Sequence, residues 1–158
     1  MTIESPTKMI RKILLVLLVA LIVIQFIPID TDVPEVEASK DFIAMTNPPQ
    51  EVSIILKQAC YDCHSYETVY PWYSNIAPVK FWLKDHINDG RKHLNFSEWG
   101  NYETKRQNHK LEELMEEVGE GEMPLDSYTW THEEARLTQD QVNSLVSWVK
   151  NGPFISTK

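Results

Sequence analysis

Gln58-Ala59-Cys60-Tyr61-Asp62-Cys63-His64-Ser65-Tyr66 contains the only two cysteines of the 158-residue chain. They stand three apart, and His64 follows the second directly. On a tight helical turn, side chains at this spacing point the same way, so two thiols and an imidazole arrive at one place. Upstream, Val52, Ile55, Leu56 and Ala59 recur at helical spacing. Asn47 is expected as N-cap, Pro48 at the first helical position and Gln50 as the capping-box partner. That helix is expected to run straight into Cys60.

The same periodicity continues downstream. Val79, Trp82, Leu83, His86 and Ile87 form a stripe that Gly90 is expected to stop. Leu111, Leu114, Met115 and Val118 mark a third helix over about 102–118, with Gly119 at its end. Thr138 and Gln141 form a capping box ahead of Val142, Leu145, Val146 and Val149, and Asn151-Gly152-Pro153 ends that helix. The stretches 69–78, 91–101 and 119–137 read as irregular connections. No segment alternates with a period of two, so the fold class is all-α, with about four helices in the main domain.

The N-terminus is different. Residues 13–29 carry no charge, follow Lys8, Arg11 and Lys12, and precede Asp30, Asp32, Glu35 and Glu37. The expectation is an N-terminal transmembrane helix at 1–29, a linker at 30–43, and a domain at 44–158. The charge order places the N-terminus in the cytoplasm and the domain outside, on a single-pass anchor in the inner (cytoplasmic) membrane. A cleaved signal peptide ending near Val36-Glu37-Ala38 is the competing reading, and it exports the domain equally. Beyond residue 40 the chain has 11 Lys and Arg against 18 Asp and Glu, a net charge of −7. Such a surface repels phosphate and argues against a nucleic-acid partner. Two cysteines cannot build a disulfide-rich scaffold.

A C-x-x-C-H run is the attachment signal of c-type haem. Cys60 and Cys63 suit thioether bonds to the vinyl groups on one porphyrin edge, and His64 supplies a proximal imidazole to the iron. Other uses of a close thiol pair stand beside this. A thioredoxin-like pair belongs near a βαβ pattern, which is missing. A zinc site needs more ligands, and no second C-x-x-C or H-x-x-x-H follows. A structural disulfide is open in an oxidising compartment. Motif, export and helical context together favour one covalent haem c.

With Cys60–His64, "YPWYSNIAP" at 70–78, "NFSEW" at 95–99 and "GEMP" at 121–124 in view, the chain resembles the bacterial haem-binding domain family of short, exported, single-haem proteins. The resemblance covers about 44–150. It implies a covalently held haem and a cytochrome c-like helical bundle around it. The "YPWYSNIAP" and "NFSEW" stretches are the more specific part, since C-x-x-C-H is common to all c-type cytochromes.

Met123 is the candidate sixth ligand. It lies in a loop, off any apolar stripe, and far enough from Cys63 in sequence to wrap the opposite haem face. A Met-Pro after the third helix also resembles the distal ligand of small cytochromes c. A methionine packed in a loop core is the plain alternative, and Met115 is assigned to core. His86, on an apolar stripe, is a second candidate ligand, whereas His93, His109 and His132 are expected to be solvated. By resemblance to other cytochromes, the Pro78 carbonyl is a candidate acceptor for the His64 ring, with Pro71 next. Tyr70, Trp72 and Trp82 are candidates to line the macrocycle, as are Tyr73 and Trp99. The acidic run containing Glu112, Glu113, Glu116, Glu117, Glu120 and Glu122 is a solvated face or a docking patch for a basic redox partner.

The functional expectation is therefore a membrane-tethered one-electron carrier rather than an enzyme. A haem-based sensor with a displaceable Met123 is the alternative. A peroxidase needs an open distal face with a positioned acid or base.

Overall fold

The computed structural model describes residues 5–152. Pro153 and the end of the domain expected at 44–158 lie partly outside that range, as do the first residues of the expected anchor. The described residues form eight α-helices joined by short 3-10 turns and no strand: α1 (Pro6–Gln25), α2 (Phe42–Thr46), α3 (Gln50–Ala59), α4 (Tyr61–His64), α5 (Val79–His93), α6 (Thr104–Glu120), α7 (Asp126–Thr129) and α8 (Gln139–Asn151). The all-α expectation holds. The four long helices read from periodicity are α3, α5, α6 and α8.

The chain divides into two compact units. One contains the chain up to Asp32 together with Tyr70–His86, and the other Val33–Val69 with the chain from Ile87 onward. The second unit holds the main core. Leu56 and Ile55 of α3, Leu111 and Val118 of α6, and Leu145 and Val149 of α8 are almost fully buried, with Phe42, Tyr61, Phe96 and Trp99 between them. Here α3, α6 and α8 pack together, and α2 lies against the 3-10 turn Phe96–Asn101. Phe42 is wholly buried at the centre of an aromatic cluster, 4.7 Å from Trp99 and 5.1 Å from Phe96. Residues 42 and 43, read as linker, are thus part of the core.

In the first unit, the Gln25 side chain at the end of α1 brackets Ala77. Its amide Nε2 donates to the Ala77 carbonyl at 3.1 Å, and its Oε1 accepts the Ala77 N–H at 2.9 Å. Lys80, buried, donates its Nζ to the Gln25 carbonyl at 2.9 Å, placing a cation on the negative end of the helix dipole.

The expected transmembrane helix is not found. The helix stops at Gln25 and leaves residues 26–29 outside, and its first turns carry Lys8, Arg11 and Lys12. Its uncharged part, 13–25, rises about 20 Å against a hydrocarbon layer of about 30 Å. Among the described residues no helix is long and apolar enough to cross a membrane.

Helix boundaries follow local chemistry, with three departures from the sequence reading. Asn47 does not cap α3; it sits in the left-handed region, φ 44°, and closes α2, a conformation asparagine tolerates better than most residues. Gly90 lies inside α5, which runs on to His93. Gly121, φ 80°, ends α6 in place of Gly119. Val79 and Trp82 of the apolar stripe are exposed, while Leu83 and Ile87 of the same stripe are buried. The α8 cap is as read: Thr138 Oγ1 accepts the Gln141 N–H and Gln141 Oε1 accepts the Thr138 N–H. Thr138→Ala is expected to cost about 1 kcal/mol, read as a lower denaturant midpoint with an unchanged slope.

Candidate haem-attachment site

The turn carrying Cys60, Cys63 and His64 is made by the backbone. Cys60 leaves helical geometry, φ −126°, and so ends α3. Its carbonyl then accepts the N–H groups of Cys63 at 3.2 Å and His64 at 2.9 Å, opening the short α4. Both cysteines are unpaired and half-buried.

His64 is fixed by a carbonyl. Its Nδ1 lies 3.0 Å from the Leu94 carbonyl oxygen. A carbonyl only accepts, so Nδ1 carries the proton. Burial holds the imidazole below the usual histidine range, against the pull of the Leu94 and Gly90 carbonyls. A neutral ring protonated on Nδ1 presents its lone pair at Nε2, the tautomer a metal-binding histidine needs. The acceptor is thus Leu94, not the Pro78 read from sequence. The Pro78 carbonyl instead accepts the Phe81 N–H at 3.1 Å within α5.

Neighbouring elements brace the turn. Gly90 of α5 sits so close that an added Cβ would lie 2.7 Å from the Cys63 carbonyl oxygen. Arg91 donates through Nε to the Ser65 carbonyl at 2.8 Å and through Nη2 to Thr68 Oγ1 at 2.9 Å. Ser97 Oγ accepts the Tyr66 N–H at 3.0 Å. Below the turn, Tyr61 stacks on Phe96 at 4.9 Å and donates its hydroxyl to the Asp41 carboxylate at 3.0 Å.

The thiols are held neutral. Burial, reinforced by Cys63, pushes Cys60 up to about 12. Burial, then Asp62, pushes Cys63 up to about 11, with Arg91 opposing. A thioredoxin-like pair belongs beside a βαβ pattern, and the described residues contain no strand. Zinc needs more ligands than this pair and one imidazole, and among the described residues no group of three or more His, Cys, Asp and Glu is placed to hold a metal ion. Two neutral thiols one turn apart, beside an imidazole with its Nε2 lone pair presented, fit a thioether-linked haem.

A family model described as a haem-binding domain matches residues 19–151. The chain belongs to the haem-binding domain family. The match begins inside α1, well before the point at which the sequence resemblance starts, and takes in both units. No curated protein and no solved structure matches the chain.

The other candidate residues of this family member are distributed as follows. Met123 belongs to the same unit as Cys60, Cys63 and His64; it is half-buried against the hydrophobic core, and its N–H donates to the Glu117 carbonyl at 3.1 Å. Tyr70, Trp72, Pro78 and Trp82 belong to the other unit. There Trp72 exposes 77% of its surface and Trp82 44%, while the buried Tyr70 hydroxyl has no hydrogen-bond partner among the described residues. Trp99, another candidate to line the haem, is buried in the main core.

The remaining histidines have other engagements. His86 Nδ1 lies 2.9 Å from the Trp82 carbonyl, with its ring 4.2 Å from the indole. His109 pairs with Glu113 at 3.2 Å. His132, expected in solvent, is half-buried, stacked on Tyr128 at 4.3 Å and 3.2 Å from Glu134. Most of the acidic run is exposed; Glu113 is engaged by Lys110, which holds its carboxyl below the usual range. Sequence reasoning missed Leu94, Gly90, Arg91 and Asp62. A mid-helix Gly-Arg pair was the one available signal, and a helix-stop reading of the glycine obscured it.

Proposed function

We propose that this chain is an exported c-type cytochrome carrying one haem on Cys60 and Cys63, with His64 and Met123 as axial ligands, that passes single electrons to a partner protein. The observation that carries the reading is the Leu94 carbonyl on His64 Nδ1, which leaves Nε2 free of its proton. Bound haem supplies a one-electron iron couple. The chain's own residues bind and orient: the cysteines tether, Leu94 and Gly90 fix the proximal turn, and Met123 completes the coordination. A filled sixth position favours electron transfer over substrate chemistry, so no catalytic residue is assigned. The exposed acids of α6 suit a basic redox partner.

Location at a membrane belongs to the same proposal. Its support is the uncharged run at 13–29 behind three cations, whose residues in α1 are all unburied. Attachment by such a surface does not require a crossing helix.

The test is spectroscopic. The oxidised haem-loaded protein is expected to show the weak red-edge band of iron–methionine coordination, and Met123→Ala to abolish it. The reduced protein is expected to bind carbon monoxide slowly and weakly. Fast, tight binding would favour a haem sensor with a displaceable Met123. A band that survives in Met123→Ala but changes in His86→Ala would move the ligand to His86.

A further inference from the structure

Asp62 lies between the two cysteines and accepts three hydrogen bonds from outside the turn. Its Oδ1 accepts the Val69 N–H at 2.8 Å, its carbonyl accepts the Thr68 hydroxyl at 2.6 Å, and its Oδ2 accepts the Tyr128 hydroxyl at 2.7 Å. The first two bonds are local. The third spans 66 residues of sequence and reaches α7, the turn that begins three residues after Met123.

Tyr128 is set up to make that bond. Its N–H donates to the Leu125 carbonyl at 2.9 Å, fixing its place on α7. Its ring lies against His132 at 15°, and the His132 Nδ1 faces Glu134 Oε1 at 3.2 Å. The hydroxyl is thus aimed at Asp62 by groups on its own side. On the near side of the loop, the Glu117 carbonyl at the end of α6 accepts the N–H groups of Glu122 at 2.9 Å and Met123 at 3.1 Å. The loop bearing Met123 is therefore held at one end by α6 and at the other, through α7, by the turn that carries the cysteines and His64.

We propose that Tyr128 is a positioning residue for the sixth ligand, its bond to Asp62 fastening the far end of the Met123 loop to the haem-attachment turn. This rests on Met123 being the axial ligand. A neutral hydroxyl on a carboxylate is a charge-assisted bond, stronger than an ordinary one, and removing the hydroxyl leaves the ring and its stacking in place. What is lost is the tie, and the methionine yields more easily to a competitor.

The experiment uses the full haem-loaded chain and titrates exogenous imidazole against the iron–methionine band. Tyr128→Phe is expected to retain the band but to bind imidazole about tenfold more tightly, the scale of losing one hydrogen bond to a charged group. Asp62→Asn, acting from the other end, should move the affinity in the same direction. The double variant should add no more than about twofold to the larger single effect, because both remove one interaction. Trp130→Ala, at an exposed neighbour, should leave the affinity unchanged. A merely structural role for Tyr128 would lower the unfolding midpoint without moving imidazole affinity under folding conditions. Unchanged affinity in Tyr128→Phe, or effects that multiply in the double variant, overturns the proposal. If Tyr128→Phe does not acquire haem, Asp62→Asn decides by the same reading. A band that persists in Met123→Ala refutes the ligand assignment itself. A band lost there while Tyr128→Phe leaves imidazole affinity unmoved overturns the positioning role alone.

Discussion

Gly90→Val is expected to lose about 3 kcal/mol of stability and to take up haem poorly. A Cβ at this position would lie 2.7 Å from the Cys63 carbonyl oxygen, 3.2 Å from the carbonyl carbon and 3.3 Å from the Cys63 Cβ. Two of those three atoms are backbone, so a rotamer change cannot relieve the overlap; α5 or the turn carrying Cys63 has to move. Even Gly90→Ala, which gains about 1 kcal/mol of helix propensity, is expected to be destabilising on balance, because a forced shift in a packed core costs about 1–3 kcal/mol. Gly119 is the internal control. It also lies inside a helix, α6, but has nothing within 4 Å of its added Cβ. Gly119→Ala should therefore stabilise by about 0.5–1 kcal/mol. Denaturant titration of the two alanine variants gives opposite signs if α5 presses on Cys63. A Gly90→Ala protein as stable as Gly119→Ala would contradict that contact.

Phe96→Ala is expected to cost about 3–5 kcal/mol. The side chain is 1% exposed. Its ring lies 4.9 Å from Tyr61 at an interplanar angle of 9°, 5.1 Å from Phe42, and edge-on to His64 at 6.3 Å. Truncation opens a cavity directly under the residue between Cys60 and Asp62, so the loss falls on the turn that carries Cys60, Cys63 and His64. Small domains have only about 5–15 kcal/mol in total, so the loss is a large share of the whole and the unfolding midpoint should fall by many degrees. Calorimetry and the yield of haem-bearing chain both measure it. A midpoint within a few degrees of wild type would mean that the aromatic cluster does not support the turn.

How much of this was legible beforehand depended on whether a signal was local. The stripes of α3, α6 and α8 were readable because each buries one face against the same core, so 3.6-residue periodicity survives in the sequence. The α5 stripe misled in part: Leu83 and Ile87 are buried, while Val79 and Trp82 are not. The short helices α2 and α7 carry no period in four or five residues and so leave no signal, whereas the motif itself marks the turn that is α4. Asn47 fitted an N-cap by residue type alone, and only its positive φ shows that it closes the preceding helix. The length of the uncharged run suggested a span, but Pro28, three residues past the last helical residue, is a local stop signal within that run.

The site divides in the same way. Cys60, Cys63 and His64 are contiguous, so their motif was legible. The partner of His64 is a main-chain carbonyl, to which any residue type can contribute, and so nothing in the sequence marks Leu94. The Asp62–Tyr128 bond joins residues of common types across 66 positions and was equally invisible. A place beside the haem for Tyr70, Trp72 and Trp82 rests on composition and resemblance alone; these residues belong to the unit that contains α1.

The central claim is that haem is bonded to Cys60 and Cys63, and one measurement addresses it most directly. The full chain, produced alongside a haem c maturation system, is extracted with acidified organic solvent, and its intact mass and pyridine-haemochrome spectrum are then recorded. One haem retained through extraction, with the shifted spectrum of saturated thioether links, is the expected result, and Cys60→Ala/Cys63→Ala should release it entirely. A wild-type chain that returns to its bare polypeptide mass after extraction would contradict the account.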